Sequence, residues 1–456
     1  MKHLLRRLLQ TPMFTGVTLL TLAIGIGANT AVFSVVQGVL LKPLPYPRPD
    51  ELVSVAHSAP GIKINELPVS PSCYFVYREE GRSFQDIGLW TNDSLSVTGL
   101  AEPEQVEALQ VTDGTLPILG VQPVVGRLFT RKDDAAGSPK TAMLAYGYWQ
   151  RKFAGDSAIA GRTIKLDGEP YEIIGVLPKG LQLGTRNPAI VTPFQFDRNT
   201  LHLGNFSFQA IARLKPGVTL AQANADITRL LRVTNEKFAP PSGASLKMFE
   251  DARIGPNLRT YKSEVIGDIG SFLWILMGTI GIVLVIACAN VANLLLVRAE
   301  GRQQELAIRA ALGVGWRRIA GELLLESVTL GIAGGLLGIG VAYGAVRILI
   351  ASAPVGLPRL NEISVNGAVL LFAFAVSLLA GAVFGLIPVL KYGGPQIAAA
   401  IRHGGRTLSQ SRERHRARST LVVVQVALAL VLLIGSGLMI RTFQAMRHVQ
   451  PGFTRP

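Results

Sequence analysis

Four stretches of the sequence run for at least 22 residues without an Asp, Glu, Lys or Arg: residues 14–41, 269–297, 367–390 and 419–440. Each is long enough to cross a hydrocarbon core of about 30 Å as a helix. A fifth stretch, residues 327–346, just reaches the required length. Only 16% of all residues are charged, whereas a soluble domain carries about 25%. The sequence therefore predicts a membrane protein with five spanning helices.

The net charge of +15 is unevenly distributed. Twelve of these charges lie in three short segments beside the apolar stretches, residues 1–13, 298–320 and 391–419. Lys and Arg concentrate in cytoplasmic loops, so we place these three segments inside and residues 42–268 outside. The basic excess is thus a topology signal, and we expect no nucleic-acid partner.

If successive segments lie alternately inside and outside the membrane, the topology of the whole chain can be predicted. The predicted fold is a membrane α-helical bundle of five transmembrane helices with an inserted α+β extracytoplasmic domain. The expected segments are a cytosolic N-terminus (1–13), helix 1 (14–41), the extracytoplasmic domain (42–268), helix 2 (269–297), a cytosolic segment (298–322), helix 3 (323–351), an outside loop (352–366), helix 4 (367–390), a basic cytosolic linker (391–418), helix 5 (419–440) and an outside tail (441–456).

Both ends of the extracytoplasmic segment predict a β-α-β element. Two such elements can combine into a split β-α-β lobe, 42–104 with 206–268, into which a second lobe, 105–205, is inserted. Thr219 and Gln222 form a capping box, and Asp167-Gly168 is typical of a hairpin turn. The remaining predictions are strands at 50–57, 87–97, 208–214 and 245–249 and a helix over 71–80.

No arrangement of residues predicts an enzyme. His57 and His202 are the histidines of the extracytoplasmic segment, and they lack the His-x-x-x-His spacing of a zinc protease. The chain contains no G-x-S-x-G motif and no G-x-x-x-x-G-K-[ST] loop. Cys73 and Cys288 lie in unlike surroundings, so we expect no disulfide between them. We therefore expect a non-catalytic chain with no cofactor and no metal.

Acidic pairs do occur in the extracytoplasmic segment. They are Asp133-Asp134 and Glu79-Glu80. Charge runs of this kind usually face solvent. We interpret both pairs as solvated loop charges and not as acid/base pairs.

Several segments along the chain together form a specific pattern: 14–15, 22–34, 43–47, 120–134, 149–153, 161, 167–168 and 287–296. With these segments, the whole chain resembles the permease subunits of the MacB and FtsX type in the ABC transporter superfamily, and in particular the duplicated orphan permeases of acidobacteria. The resemblance implies four spans around one large extracytoplasmic domain, a separate cytosolic ATPase, and transmission of motion across the membrane. Since this chain adds a fifth predicted span, the resemblance suggests one full repeat followed by the first span of a second, truncated repeat.

Within the cytosolic segment 298–322, residues 303–315 are similar to the signature of that family between its second and third spans. Its apolar residues suit an amphipathic helix at the membrane surface, in which Glu305 and Arg309 can pair at i, i+4. The resemblance implies that an ATPase pushes against this helix; an ordinary interfacial helix held by anionic lipid is the alternative. The predicted coupling residues are Glu305, Leu306, Ile308, Arg309, Leu312, Gly313 and Gly315.

The third predicted span is rich in glycine. Its glycines fall into three small-x-x-x-small registers, which let helix backbones approach closely in lipid. A sliding or dimerising face and simple packing within the chain are both consistent with them. The predicted packing residues are Gly331, Gly334, Gly335, Gly338, Gly340 and Gly344.

One acidic residue, Glu326, begins this third span near its inside face. A charged side chain at such a depth can extend back to the interface. We expect Glu326 to do so, and a proton-relay role is the less favoured alternative.

The patterns and the resemblance leave three functions open. The leading one is a permease-like subunit of an ABC-type system in the bacterial inner membrane, which transmits ATPase-driven motion to the extracytoplasmic domain for export or extrusion of an unknown substrate. Its expected partners are a separate cytosolic ATPase and membrane lipid, and it is expected to form a dimer or to pair with a second permease half. The second is an FtsX-like scaffold that regulates a cell-wall enzyme. The third is a truncated, non-functional half-permease.

Overall fold

The computed structural model describes residues 11–99, 102–181, 183, 188–302, 304–305, 308–309, 312, 314–352, 359–392, 419–420, 422–438 and 441. The chain divides into two compact units. The membrane unit comprises Met1–Lys42 and Asp268–Pro456, and the extracytoplasmic unit comprises Pro43–Gly267.

The helices of the described chain are α1 (Pro12–Val36), α2 (Pro71–Glu80), α3 (Thr115–Ile118), α4 (Tyr146–Phe153), α5 (Leu220–Lys237), α6 (Leu246–Asp251), α7 (Tyr261–Ile266), α8 (Ile269–Gly301), α9 (Trp316–Ser352), α10 (Gly367–Tyr392) and α11 (Val422–Leu438). A π-helical turn, Gln37–Leu41, extends α1.

The strands are β1 (Leu52–Ala59), β2 (Ile64–Leu67), β3 (Phe84–Thr98), β4 (Glu104–Val111), β5 (Val125–Gly126), β6 (Thr141–Leu144), β7 (Thr163–Leu166), β8 (Glu169–Val176), β9 (Ile190–Pro193), β10 (Gln209–Leu214) and β11 (Gly255–Thr260). All of them belong to one sheet.

Four helices of the membrane unit are long and apolar enough to cross a membrane: α1 with its π-helical extension, α8, α9 and α10. The predicted fifth span, 419–440, is not confirmed. Its described helix, α11, covers Val422–Leu438, and residues 419, 420 and 441 beside it are also helical.

Two of these helices extend beyond their expected ends where the segment 302–315 joins them. Helix α8 continues to Gly301, although the uncharged stretch stops at residue 297. Helix α9 already begins at Trp316, seven residues before the expected position 323. Charged residues are unfavourable in the hydrocarbon core, but they have good helix propensity. A stretch without charges therefore shows which part of a helix lies in the hydrocarbon, and the helix itself can extend beyond it.

The four spans meet in a common apolar core. Each helix contributes buried side chains to this core: Leu22 and Ile26 of α1, Val291 and Leu295 of α8, Leu330 of α9, and Ala380 and Phe384 of α10. Asn29 of α1 donates from its side-chain nitrogen to the carbonyl of Ile280 in α8, at 3.1 Å. The polar side chain of Asn29 is therefore hydrogen-bonded to a neighbouring helix, as is usual for polar residues in membrane-spanning helices.

The extracytoplasmic unit contains two interlocked β-α-β elements. Its sheet has the order β11-β1-β10-β3-β4-β9-β6-β8-β5. In the element β1-α2-β3, β10 lies between the two strands, and in β10-α5-β11, β1 lies between them. This is a split β-α-β arrangement. The helices α2 and α5 cover it, with Tyr74 and Tyr77 of α2 and Ile227 and Leu230 of α5 in the core.

Strand β3 carries the sheet into the second lobe. It pairs antiparallel with β10 through its first half and with β4 and β7 through its second half. Strands β7 and β8 form a hairpin in which Asp167 and Gly168 have φ of 49° and 84°. Positive φ at both turn residues is the geometry that Asp-Gly favours.

The predicted strand at 245–249 is wrong. Helix α6 begins at Leu246 within these residues, and the strand that follows α5 and pairs with β1 is β11. The apparent alternation in this segment is too short to separate strand from helix, and Gly255-Pro256 suggests a turn. Strand β11 tolerates Pro256 because it is the edge strand of the sheet.

Candidate functional site

The predicted coupling segment connects the end of α8 to the start of α9. Among its described residues, 304, 305, 308 and 309 are helical. The amide of Leu312 donates to the carbonyl of Ile308 at 3.0 Å, and that of Val314 to the carbonyl of Arg309 at 3.1 Å. Leu306 and Gly313 lie outside the described residues.

Ion pairs connect this segment, which directly follows α8, to α9. Arg309 contacts Glu305 at 2.5 Å, the i, i+4 pair that the sequence predicts, and Glu322 of α9 at 3.3 Å. Arg302 contacts Glu305 at 3.4 Å and Glu326 of α9 at 3.4 Å. A continuous path of ion pairs therefore runs from the end of α8 through the segment to α9.

Glu326 is the buried member of this network. Its side chain is 6% exposed and accepts a second contact from Arg298 of α8, at 2.9 Å. The guanidinium of Arg298 in turn lies 4.6 Å from the ring centroid of Phe14 in α1. The expectation that Glu326 reaches out to the interface is wrong, because two arginines neutralise its charge inside the bundle. Removing one partner of a buried pair leaves an uncompensated charge at a cost of about 3–5 kcal/mol.

The apolar side chains of the coupling segment point away from the rest of the chain. Ile308 is 62% exposed and Leu312 is 80% exposed. The segment thus combines a base fixed by ion pairs with an uncovered apolar surface, which suits a hydrophobic partner or a lipid surface. The coupling surface is defined here as the exposed side chains of Ile308 and Leu312.

One small-x-x-x-small register of α9 packs on α1. A Cβ added at Gly334 would lie 2.6 Å from the Cβ of Leu22, and one at Gly338 would lie 3.0 Å from the backbone nitrogen of Gly27. Contacts this short leave no room for a side chain. The backbone of α1 therefore approaches α9 closely along 334/338.

A second register packs on α10. A Cβ at Gly331 would lie 2.6 Å from the carbonyl oxygen of Ser377, and one at Gly335 would lie 1.9 Å from the hydroxyl oxygen of the same residue. The third register does not lie against another helix of the described chain. A Cβ at Gly340 or Gly344 would meet nothing within 4 Å.

In the extracytoplasmic unit, the interpretation of Asp133 and Asp134 as solvated charges is wrong. Asp133 is 8% exposed, and its carboxylate accepts two hydrogen bonds from Arg127, at 2.6 and 2.9 Å. That guanidinium, together with Thr130, lowers the pKa of Asp133 to about 2. Arg127 lies six residues upstream in an irregular loop, so no regular spacing in the sequence reveals the pair.

Asp134 is held by the backbone. Its two carboxylate oxygens accept from the amides of Asp113 and Gln195, at 3.0 and 2.9 Å. Burial raises the pKa of this carboxyl to about 6. The other acidic pair was expected in a loop but ends helix α2: Glu79 is exposed and bound to Arg198, and Glu80 is half-buried and bound to Lys237.

Neither cysteine is in a disulfide; both Cys73 and Cys288 are free. Within the described parts of the chain, no group of three or more His, Cys, Asp or Glu side chains is placed to hold a metal ion. His57 is buried and contacts the hydroxyl of Tyr77 at 2.7 Å. Burial lowers its pKa to about 4, so this imidazole is a neutral member of the core.

Two family models match the chain. The MacB-like periplasmic core domain matches residues 15–230. The FtsX-like permease C-terminal domain matches residues 277–397. The first match covers α1 and most of the extracytoplasmic unit, and the second covers most of α8, the coupling segment, α9 and α10.

Curated relatives are similar over much of the chain. The uncharacterized ABC transporter permease YknZ of Bacillus subtilis is 27% identical over 316 residues, which cover 69% of this chain and 74% of YknZ. The macrolide export ATP-binding/permease protein MacB of Bdellovibrio bacteriovorus is 24% identical over 285 residues, 62% of this chain and 41% of MacB. The pyoverdine export ATP-binding/permease protein PvdT of Pseudomonas putida is 29% identical over 278 residues, 59% of this chain and 38% of PvdT.

A solved structure also matches in part. The periplasmic region of MacB from Actinobacillus actinomycetemcomitans is 13% identical and covers 50% of this chain and 92% of that region, with a TM-score of 0.35.

Proposed function

Because the chain belongs to the MacB/FtsX type of ABC transporter permeases, we propose that it is a non-catalytic permease subunit in the inner membrane of a bacterium. In this proposal a separate cytosolic ATPase binds the coupling surface, and hydrolysis of ATP by that partner drives movement of the extracytoplasmic domain. The movement serves export of a substrate. MacB and PvdT, which are named as export proteins with ATP-binding and permease parts, support this direction of transport.

The main support for the proposal is that the coupling segment combines exposed apolar side chains with ion pairs to the spanning helices. Its exposed Ile308 and Leu312 offer apolar anchors, and buried apolar anchors dominate the affinity of protein interfaces. Its base is tied through Arg302 and Arg309 to Glu326 and Glu322 of α9, and Glu326 is also paired with Arg298 of α8. A partner that pushes on the anchors would therefore displace two spans and not a free loop.

ATP hydrolysis is assigned to the partner because the chain offers no P-loop for phosphates. The proposed assembly contains two permease halves, either two copies of this chain or this chain and a second half. Gly340 and Gly344, where an added Cβ would meet nothing within 4 Å in the described parts of this chain, support that pairing because small residues permit close approach of helices in lipid.

The test is copurification of the ATPase with tagged chains at matched expression. We expect Ile308→Asp and Leu312→Asp each to weaken ATPase binding about thirtyfold, since losing a buried anchor commonly costs about 2 kcal/mol or more. Arg309→Ala should have a smaller effect, because exposed ion pairs are worth about 0–1 kcal/mol. Membrane insertion should be unchanged, as both apolar residues lie outside the spans.

The matched control is Met248→Asp, which places the same charge on a side chain that is 54% exposed in the extracytoplasmic unit. It should leave ATPase binding intact. Retention of the ATPase at wild-type levels by both Ile308→Asp and Leu312→Asp would show that the segment only lies on lipid.

A further inference from the structure

A cleft of about 600 Å³ opens in the extracytoplasmic unit. Its walls come from α2 and from the loops that follow β4, β5 and β9. Ligand sites in proteins typically enclose about 300–1,000 Å³ and combine apolar walls with a few polar groups. The cleft has both, because aromatic rings and charged side chains line it together.

Two of the three arginines in the cleft are already bound to carboxylates. Arg78 contacts both oxygens of Asp113, at 2.5 and 3.0 Å, and also donates to the hydroxyl of Tyr74 at 2.6 Å. Arg198 donates from both terminal nitrogens to the carboxylate of Glu79. Bidentate pairs of this kind satisfy the fork of the guanidinium, so neither arginine has its main donors free.

The third carboxylate of the cleft is also occupied. Both oxygens of Asp134 accept backbone amides, from Asp113 and Gln195. Asp134 therefore offers little to a ligand cation.

Arg131 is the charged group that remains. Its side chain is exposed at the cleft, and in the described chain it makes no hydrogen bond or ion pair with another residue. A guanidinium has five donors and cannot lose its charge at physiological pH. Among the lining side chains, Arg131 is the one with donors available for an incoming anion.

Aromatic rings form the apolar part of the wall. Phe75 lies under the guanidinium of Arg198, 5.5 Å from ring centroid to the central carbon. Phe196 stacks on Phe194 with centroids 4.6 Å apart. These contacts fix both rings, so the wall is preformed and a ligand that covers it loses little side-chain entropy from the protein.

We propose that this cleft binds an amphipathic organic anion, whose carboxylate pairs with Arg131 and whose apolar body lies against Phe75 and Phe196. The inference does not depend on ATPase coupling: it concerns binding alone, at residues far along the chain from the coupling surface.

The test uses 2-naphthoate as the probe and the neutral 2-naphthamide as its isostere. Binding is measured by titration calorimetry on the full chain in nanodiscs of zwitterionic lipid, with empty nanodiscs as the blank. We expect the wild type to bind naphthoate about tenfold more tightly than naphthamide, in line with one charge-assisted hydrogen-bond pair. Arg131→Gln should reduce naphthoate binding to the naphthamide level and leave naphthamide binding unchanged, whereas Arg131→Lys should retain part of the preference.

The matched control is Lys132→Gln, which removes the neighbouring exposed positive charge without touching the cleft wall. It should keep the naphthoate preference. The proposal is overturned if the wild type does not bind naphthoate, if it binds both probes equally, or if Arg131→Gln and Lys132→Gln behave alike. Any of these results would leave the ATPase proposal standing, because that proposal is tested by copurification.

Discussion

Asp133 is the residue whose charge contributes most clearly to the stability of the extracytoplasmic unit. Arg127 and Thr130 lower its pKa in the folded protein to about 2, from an ordinary value of 3.8. A carboxyl whose pKa is lower in the folded state contributes stability above its unfolded pKa, and this contribution disappears as the pH falls through the folded pKa. The stabilisation should therefore be complete above about pH 4 and decline between about pH 4 and 2.

We expect Asp133→Asn to destabilise the protein at pH 7 by about 1–3 kcal/mol, because a charge-assisted bond is lost in a buried site. The thermal midpoint of the full chain in detergent, followed by near-ultraviolet circular dichroism, measures the effect. The difference from wild type should shrink between pH 4 and 2, where the wild-type carboxyl also becomes neutral. Asp251→Asn, at an exposed aspartate, is the control and should change little; a difference that is the same at pH 7 and pH 2 would contradict the assignment.

Spacing along the sequence predicts some of the ion pairs and not others. The Glu305–Arg309 pair could be predicted because helical geometry places i and i+4 on one face. The partners of Glu326 could not, since Arg298 and Arg302 reach it from another helix. The cleft at Arg131 was missed for the same reason: four separate segments build it, and none carries a motif alone.

At the scale of elements, glycine positions decide how the spans pack. Helix α9 turns 334/338 toward α1 and 331/335 toward α10, while a Cβ at Gly340 or Gly344 would meet no described residue within 4 Å. The sequence shows the three registers equally well, but it does not show which faces meet a neighbour. Local signals also differ in how much they predict. The capping box of α5 is present as predicted, whereas the short apolar pattern at α6 suggested a strand and the structure has a helix.

Gly331→Ala should destabilise the bundle by about 1–3 kcal/mol, because the added methyl would meet the backbone of α10 and overpacking costs that much. Gly344→Ala is the matched control on the same helix and should be neutral. Unfolding in detergent can be followed with a thiol-reactive fluorogenic dye at the free Cys73 and Cys288. Equal melting midpoints for the two variants would mean that α9 and α10 are not in close contact at Gly331.

At the scale of the whole molecule, the two units expose different surfaces. The spans carry large exposed apolar side chains, such as Trp274, Ile275 and Leu371, which are 57%, 62% and 68% exposed. Such a surface is stable in lipid and would aggregate in water. The extracytoplasmic unit instead closes its apolar residues around one sheet, as a water-exposed domain must.

The last prediction concerns the side of the membrane on which each part lies. Basic segments at 1–13, 298–320 and 391–419 should stay in the cytoplasm, because Lys and Arg next to spans resist translocation. Alkaline phosphatase fused after Gly204 should therefore be active, and green fluorescent protein fused after Gly405 should fluoresce. The reciprocal fusions, with the two reporters exchanged, should both be silent and serve as controls.

The same method tests the fifth span. If residues 419–440 cross the membrane, phosphatase fused after Pro456 should be active, because an odd number of spans places the two ends of the chain on opposite sides. If α11, with its 17 described residues, lies on the inner surface, fluorescent protein at that position should fluoresce instead. The charge distribution places Gly204 and Gly405 on opposite sides of the membrane. If the same reporter is active after both residues, they lie on the same side, and the predicted layout is wrong.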